Sequence, residues 1–343
     1  MRGVVVKEWT EFENLEIGEI DPPEMADNEV RIRTQAAGIN FATSLRVRGQ
    51  YQIKPALPHV PGNELAGVVI ETGKNVTRFA PGDRVTCFVH WGAMAEEAVA
   101  PESNTYKIPD SMEFCRSIGM TSSYETTYAA FCWPQWMDVQ WGETVLVHGA
   151  AGGVGISAVE IAKILGAKVI ATVGSEEKAR FVRDLGADLV INYREENFRE
   201  KVLDFTNGEG VEQCYDPVGG DVFLESLRCM KPEGKIMPIG FASGKVPQIP
   251  ANILLIKNIR VMGFNLGVYN GQWGKDLRWK YEGVVRDGMT QLFRWFEQGR
   301  INPICAGAFP LEGFREAMRM VLSREAIGRV ALVLDEEAKR LGL

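Results

Sequence analysis

The sequence predicts an α/β protein, a doubly wound parallel sheet joined to a β-rich domain, and three observations predict it. From about residue 144, short apolar runs alternate with stretches of helical period, the pattern of a parallel sheet with helices on both faces. A string of small residues, Ala150 to Gly155, lies where the first of these runs passes into a helix. Residues 1 to about 120 instead carry short β-type runs punctuated by Pro and Gly turns.

Taken in order, VRIRTQAAGI, LAGVVIETG and DRVTCFV are the β-type runs of the first part, separated by turns such as DPPEMADNE and FAPGDR. The second part reads TVLVHG as strand, VGISAVEIAKILG as helix, KVIATV as strand, SEEKARFVRDLG as helix and LVIN as strand. Later strands fall near EQCYD, GKIMPIG and IRVMGF. Gly166 and Gly186 each close a helical pattern just before a strand, where a left-handed helix-ending residue belongs. After Phe264 the pattern loosens through NLGVYNGQWGKDLRWKYEG, then gives helices around 284–299 and 312–323 and a last strand, RVALVL. The charged tail DEEAKRLGL reads as a solvated end. The expected division is 1–121, 122–266 and a segment 267–343 that returns to the first domain.

Composition narrows the function. A chain of 343 residues, 45% hydrophobic and 24% charged, has the balance of an ordinary globular protein of two domains. A net charge of −7 provides no field for nucleic acid or an anionic membrane, so a small-molecule partner is expected. The first residues lack the apolar core of a secretory signal and no stretch reaches about 18 apolar residues, which predicts no membrane span and a cytoplasmic location. Six scattered cysteines without C-x-x-C spacing read as free thiols rather than as a disulfide framework or a zinc site. No P-loop and no G-x-S-x-G elbow is present, and His59, His90 and His148 read as structural.

The chemistry lies in the turn after TVLVHG. Ala151, Gly152, Gly153, Val154 and Gly155 match a dinucleotide fingerprint in which Ala150 replaces the first glycine. Gly152 lets the backbone approach a pyrophosphate, Gly155 lets the helix pack against the strand, and the helix N-terminus offers free N–H groups to anionic oxygens. About twenty residues on, an NAD-binding fold places an acid on the ribose 2′-hydroxyl. Here the strand ends in Val173, Gly174 and Ser175, with Lys178 in the following turn, a set that accommodates a 2′-phosphate and predicts NADPH over NADH.

With these motifs the chain resembles the zinc-independent quinone oxidoreductase branch of the medium-chain dehydrogenase/reductase superfamily over essentially its full length. The resemblance rests on AAGINFATSLRVRGQY (36–51), PHVPGNELAGVV (58–69), VTRFAPGDRV (76–85), TVLVHGAAGGVG (144–155), NY (192–193), YDPVGG (215–220), GFASGKVPQIP (240–250) and LSREAIGR (322–329), in that order. It implies a GroES-like β domain built from both ends of the chain, a central Rossmann domain, a cleft between them for nicotinamide and substrate, and a homodimer. Zinc members carry a cysteine and a histidine where this chain has Asn40 and Asn63, the latter followed by Glu64. The four-cysteine structural zinc loop is also missing, so no metal is expected. The implied activity is hydride delivery to a quinone or another α,β-unsaturated carbonyl compound, whose conjugation takes up the negative charge without a metal.

By the same resemblance, Asn40 and Tyr51 are cleft residues, Tyr51 a donor to the developing oxyanion. Thr126 resembles the threonine that holds the nicotinamide carboxamide, and Tyr193 and Arg324 resemble residues around the adenosine phosphate. Leu45 stands where some relatives carry a tyrosine. Arg46 and Arg48 near the inferred mouth read either as contacts for an anionic substrate such as an acyl-CoA or as a solvated basic face. Trp133, Trp136 and Trp141 read as local core in preference to a subunit contact. The alternatives are an enoyl-CoA reductase of the acrylyl-CoA type and a non-catalytic, crystallin-like NADPH-binding protein.

Overall fold

The computed structural model describes residues 1–271 and 276–343; residues 272–275 of the loosely patterned stretch lie outside the described residues. The chain forms two compact units. One comprises Met1–Ser122, Gly267–Glu297 and Pro303–Leu343, and the other Ser123–Leu266 with Gln298–Asn302.

Among the described residues, the second unit has a six-stranded sheet, parallel throughout. Its strands are Thr144–Val147, Lys168–Val173, Leu189–Asn192, Val211–Asp216, Met230–Pro238 and Arg260–Val261. Numbered along the chain they lie in the order 3-2-1-4-5-6, so the connections change direction beside Thr144–Val147. In sheets of this kind the carboxyl end of that strand is where a ligand binds. Val145, Leu146 and Val147 are fully buried, as a strand with helices on both faces requires. Gly166 and Gly186 have φ of +81° and +102°, the left-handed helix endings expected of them.

Two buried polar side chains of this unit are fully engaged. His148 donates or accepts at both ring nitrogens, 2.8 Å from the Thr172 hydroxyl and 2.7 Å from that of Ser226. The Thr127 hydroxyl meets Ser157 Oγ at 2.7 Å and Tyr215 Oη at 3.0 Å, tying the helix Glu125–Cys132 to the helix Gly153–Ile164 and to the sheet. The three tryptophans separate. Trp133 is buried, whereas Trp141 is 84% exposed and lies over Gly166, where a Cβ would come within 2.0 Å of its ring. The expectation of local core therefore fails at Trp141, which covers a helix-ending glycine from outside.

The first unit is an antiparallel sheet closed by the chain's last strands. Glu29–Ile39 lies at its centre, paired with Glu64–Thr72 on one side and with Arg329–Val333 on the other. Arg84–Phe88 and Thr105–Lys107 continue beyond Glu64–Thr72, Glu97–Pro101 also pairs with Glu29–Ile39, and Cys305–Pro310 runs parallel to Arg329–Val333. Two helices precede the last strand, Arg278–Glu297 and Phe314–Leu322. Phe12 and Phe314 meet edge to face with centroids 5.4 Å apart, an aromatic pair of about 0.5–1.5 kcal/mol joining the two ends of the chain.

The tail departs from the sequence reading. DEEAKRLGL forms a helix, Asp335–Leu341, that buries Glu337 and Ala338. Glu337 accepts from the Cys115 N–H at 3.3 Å and from Arg340 Nε at 3.0 Å, and its own N–H donates to Gln35 at 3.1 Å. The buried carboxylate is tolerated because each of these contacts replaces one to water.

Candidate active site

In the second unit, the strand Thr144–Val147 leads through His148 to Gly149, whose φ is +57°. The sharp turn thus falls one residue before Ala150, and Gly149 does what the fingerprint's first glycine would do. Ala150 is fully buried and its N–H donates to Thr172 at 3.1 Å, so the alanine costs the turn nothing.

The two later glycines differ in what they require. A Cβ on Gly155 would meet the Gly149 carbonyl oxygen at 2.2 Å and the Ala150 Cα at 2.6 Å, so only glycine lets the helix approach the strand here. A Cβ on Gly152 would meet nothing closer than that same carbonyl at 3.3 Å. Gly152 precedes the helix Gly153–Ile164 with φ −83° and ψ 174° and gives no side-chain cap. The first-turn N–H groups and the partial positive end of the helix dipole therefore face space that no side chain at 152 fills. A pyrophosphate fits this arrangement, backed by the nearly buried Ala151 and the half-buried Gly153 and Val154.

At the end of the neighbouring strand, Ser175 caps the helix Glu176–Asp184, its Oγ accepting from the Lys178 N–H at 3.3 Å. A Cβ at position 174 would lie 2.5 Å from the Tyr193 hydroxyl, so Gly174 is the reason that Tyr193 fits against this strand end. Tyr193 thus packs on Gly174, and Ser175 meets the Lys178 backbone N–H at the start of the following helix. Glu176 and Glu177 share the helix's first turn, and Glu176 is folded back onto Arg183 at 2.8 Å. Thr126 is half-buried, next to the fully buried Thr127 that anchors its helix.

Asn40, Tyr51 and Arg324 belong to the first unit. Asn40 begins the helix Phe41–Val47 with a capping box. Its Oδ1 accepts from the Thr43 N–H at 3.0 Å and its own N–H donates to Thr43 Oγ1 at 3.3 Å. Its Nδ2 donates to Glu64 Oε1 at 2.5 Å and to Asn63 Oδ1 at 3.4 Å. Asn40 therefore converges with Asn63 and Glu64, more than twenty residues further along the chain. Glu64 is completely buried, and Arg329 Nη2 donates to both of its oxygens. Arg329 is the member of this cluster that sequence reasoning missed, and its position at the start of the last strand gave no signal of a partner near residue 64. Arg324 is exposed, with φ of +61°.

Tyr51 is half-buried beneath the Arg46 guanidinium, whose carbon stands 4.1 Å from the ring centroid. The two arginines, read together as contacts for an anionic substrate or as a solvated basic face, part company. Arg48 makes an ion pair with Glu11 at 2.7 Å, whereas Arg46 is 7% exposed. Burial lowers the Arg46 pKa. The His90 ring, whose backbone carbonyl accepts from Arg46 Nη1 at 3.0 Å, is likewise held below its usual pKa, first by burial and then by the charge of Arg278. No group of three His, Cys, Asp or Glu side chains that could hold a metal ion occurs among the described residues.

Residues 26–110 match the family described as alcohol dehydrogenase GroES-like domain, and residues 153–280 the family described as zinc-binding dehydrogenase. Quinone oxidoreductase-like protein 2 of Mus musculus is 38% identical over 321 residues, 93% of this chain and 89% of its own. Quinone oxidoreductase of Pseudomonas aeruginosa is 35% identical over 323 residues, 94% of this chain and 96% of its own. The crystal structure of Escherichia coli quinone oxidoreductase complexed with NADPH superposes with a TM-score of 0.88 at 29% identity, spanning 97% of this chain and all of that one. A GroES-like domain followed by a parallel sheet with a dinucleotide turn defines a medium-chain dehydrogenase/reductase. Within that superfamily, this chain belongs to the quinone oxidoreductase-like family.

Proposed function

We propose that the protein is an NADPH-dependent oxidoreductase that reduces a quinone or another activated carbon–carbon double bond without zinc. The observation that carries the reading is the Asn40–Asn63–Glu64 cluster. Its two amides are weak metal ligands and its carboxylate is already neutralised by Arg329, so it offers no soft or free anionic donor. An acceptor whose own conjugation spreads the developing charge needs hydrogen-bond donors and a proton source in place of a Lewis acid. The likeness to NADPH-bound quinone oxidoreductase supports the cofactor.

In this reading the uncapped turn from Ala151 to Gly155 would hold the pyrophosphate, Ser175, Lys178 and Tyr193 the adenosine 2′-phosphate, and Thr126 the nicotinamide carboxamide, while the part of Arg324 rests on the family resemblance alone. Bound NADPH supplies the hydride. Tyr51 donates a hydrogen bond to the acceptor oxygen as it becomes negative, with the Arg46 charge over its ring favouring that anion. The Asn40 amide is engaged with Thr43, Glu64 and Asn63, so its part is to fix the start of the helix that leads to Arg46 and Tyr51. A homodimer belongs to the same reading and rests on the family resemblance.

Following NADPH oxidation with a 1,4-quinone and a simple enone, each repeated with NADH, tests this. Turnover with NADPH is expected. NADPH bound tightly but oxidised by neither acceptor would overturn the reading in favour of a binding protein, and a preference for NADH would overturn the 2′-phosphate assignment.

A further inference from the structure

The helix Phe41–Val47 buries an arginine whose charge has the Tyr51 ring beside it but no paired carboxylate among the described residues. Arg46 forms no ion pair among the described residues, and its Nε is buried without a hydrogen-bond partner. Its Nη1 is spent on a neutral acceptor, the His90 carbonyl. Glu64 is the carboxylate whose field reaches it, but both Glu64 oxygens are bound by Arg329. A buried guanidinium is ordinarily matched by a carboxylate or phosphate in a bidentate pair, because desolvating the cation alone is costly. Two residues further on, Arg48 shows that the same short segment can supply an arginine with a protein carboxylate.

We propose that Arg46 is a specificity-determining residue that pairs with a carboxylate carried by the acceptor itself, close to the double bond that is reduced. The proposal rests on the reading of the protein as an NADPH-dependent reductase with Tyr51 serving the acceptor oxygen. The guanidinium stands directly over the Tyr51 ring, so an anion on Arg46 and a carbonyl on the Tyr51 hydroxyl lie within a few atoms of each other on one small molecule. This geometry favours short α,β-unsaturated ketones or quinones bearing a carboxylate. It disfavours a coenzyme A thioester, whose phosphates are separated from the reacting bond by a long chain.

A matched pair of acceptors isolates the charge: trans-4-oxo-2-pentenoate and its methyl ester. Reduction of the acid to 4-oxopentanoate takes one hydride from NADPH and one proton from solvent and leaves NADP⁺. The acid-to-ester ratio of kcat/KM is measured for the unaltered protein, for Arg46→Met, which keeps length without charge, and for Arg46→Lys. The ratio is expected to fall about ten- to a hundredfold in Arg46→Met, the usual effect of losing a charge-assisted hydrogen bond, with partial recovery in Arg46→Lys. Calorimetric binding of 4-oxopentanoate to the NADP⁺ complex should weaken by a similar factor. An unchanged ratio overturns the proposal, as does an equal loss on both acceptors with a lowered melting temperature, which assigns Arg46 to structure. A weakened NADPH affinity with an unchanged ratio also overturns it, assigning the charge to the cofactor. Should Arg46→Met not fold, Arg46→Lys decides alone, a ratio equal to that of the unaltered protein counting against the proposal. If neither acceptor turns over while 4-oxopentanoate still binds in an Arg46-dependent way, the reductase reading fails and the anion site stands.

Discussion

His148 in the second unit and Arg46 in the first are both buried polar side chains, and they have been treated differently. His148 is held at both ring nitrogens by hydroxyls of neighbouring elements, so its burial is complete and closed. Arg46 is nearly as buried but keeps an unpartnered nitrogen and has no ion pair among the described residues. Arg329 also keeps an unpartnered Nε, but its charge is matched by Glu64, so what sets Arg46 apart is a buried cation with no ion pair among the described residues.

That contrast is tested most severely at Glu64. Arg329→Met strips the partner from a fully buried carboxylate and should cost about 3–5 kcal/mol in urea unfolding. A loss under 1 kcal/mol would mean that the buried charge does not depend on its arginine. Next in size is Gly155→Ala, where the new methyl strikes backbone at 2.2 Å. Overpacking of about 1–3 kcal/mol and loss of NADPH affinity by fluorescence titration are expected together. His148→Leu leaves the Thr172 and Ser226 hydroxyls without their ring partners and should cost about 1–3 kcal/mol by the same denaturation.

The pH dependence sharpens the comparison within the first unit. Burial lowers the His59 pKa from 6.5 to about 4. The folded state therefore favours the neutral ring. Its contribution is intact above about pH 6.5 and is lost as the pH falls toward 4, because the unfolded chain takes up the proton first. The melting temperature should drop between pH 7 and pH 4.5, and His59→Gln should drop less over that interval. The smallest effect is expected at Arg46 itself. Arg46→Met orphans no carboxylate, so the denaturation midpoint should correspond to a change within about 1 kcal/mol, while the acceptor preference changes.

The parallel sheet and its glycine turn were legible because each depends on local chemistry: alternating apolar runs, helix-ending glycines, and a helix that only Gly155 lets approach. The position of the turn was less so. Ala150 hid the fact that Gly149 supplies the positive φ, although the His-Gly step before it carried that signal. Arg46 and Arg48 read together as contacts for an anionic substrate or as a solvated basic face, but residues two apart on a helix point about 200° away from each other, so one can be buried while the other pairs with Glu11. The tail was misread because its charges mask a buried face: Glu337 is accommodated by Cys115, Gln35 and Arg340, partners that no local pattern reveals. The Glu64–Arg329 pair was invisible for the same reason, its members being 265 residues apart.

That separation also sets an order of events during synthesis. The parallel sheet draws all its strands from one stretch of chain, Thr144 to Val261, and can close as soon as that stretch leaves the ribosome. The sheet built on Glu29–Ile39 cannot, because its neighbour Arg329–Val333 is made only after that stretch. Until then the strand has an open edge, and Glu64 has yet to meet its arginine. The unit that holds Glu29–Ile39 is therefore completed after the parallel sheet, although that strand is translated before any strand of the sheet.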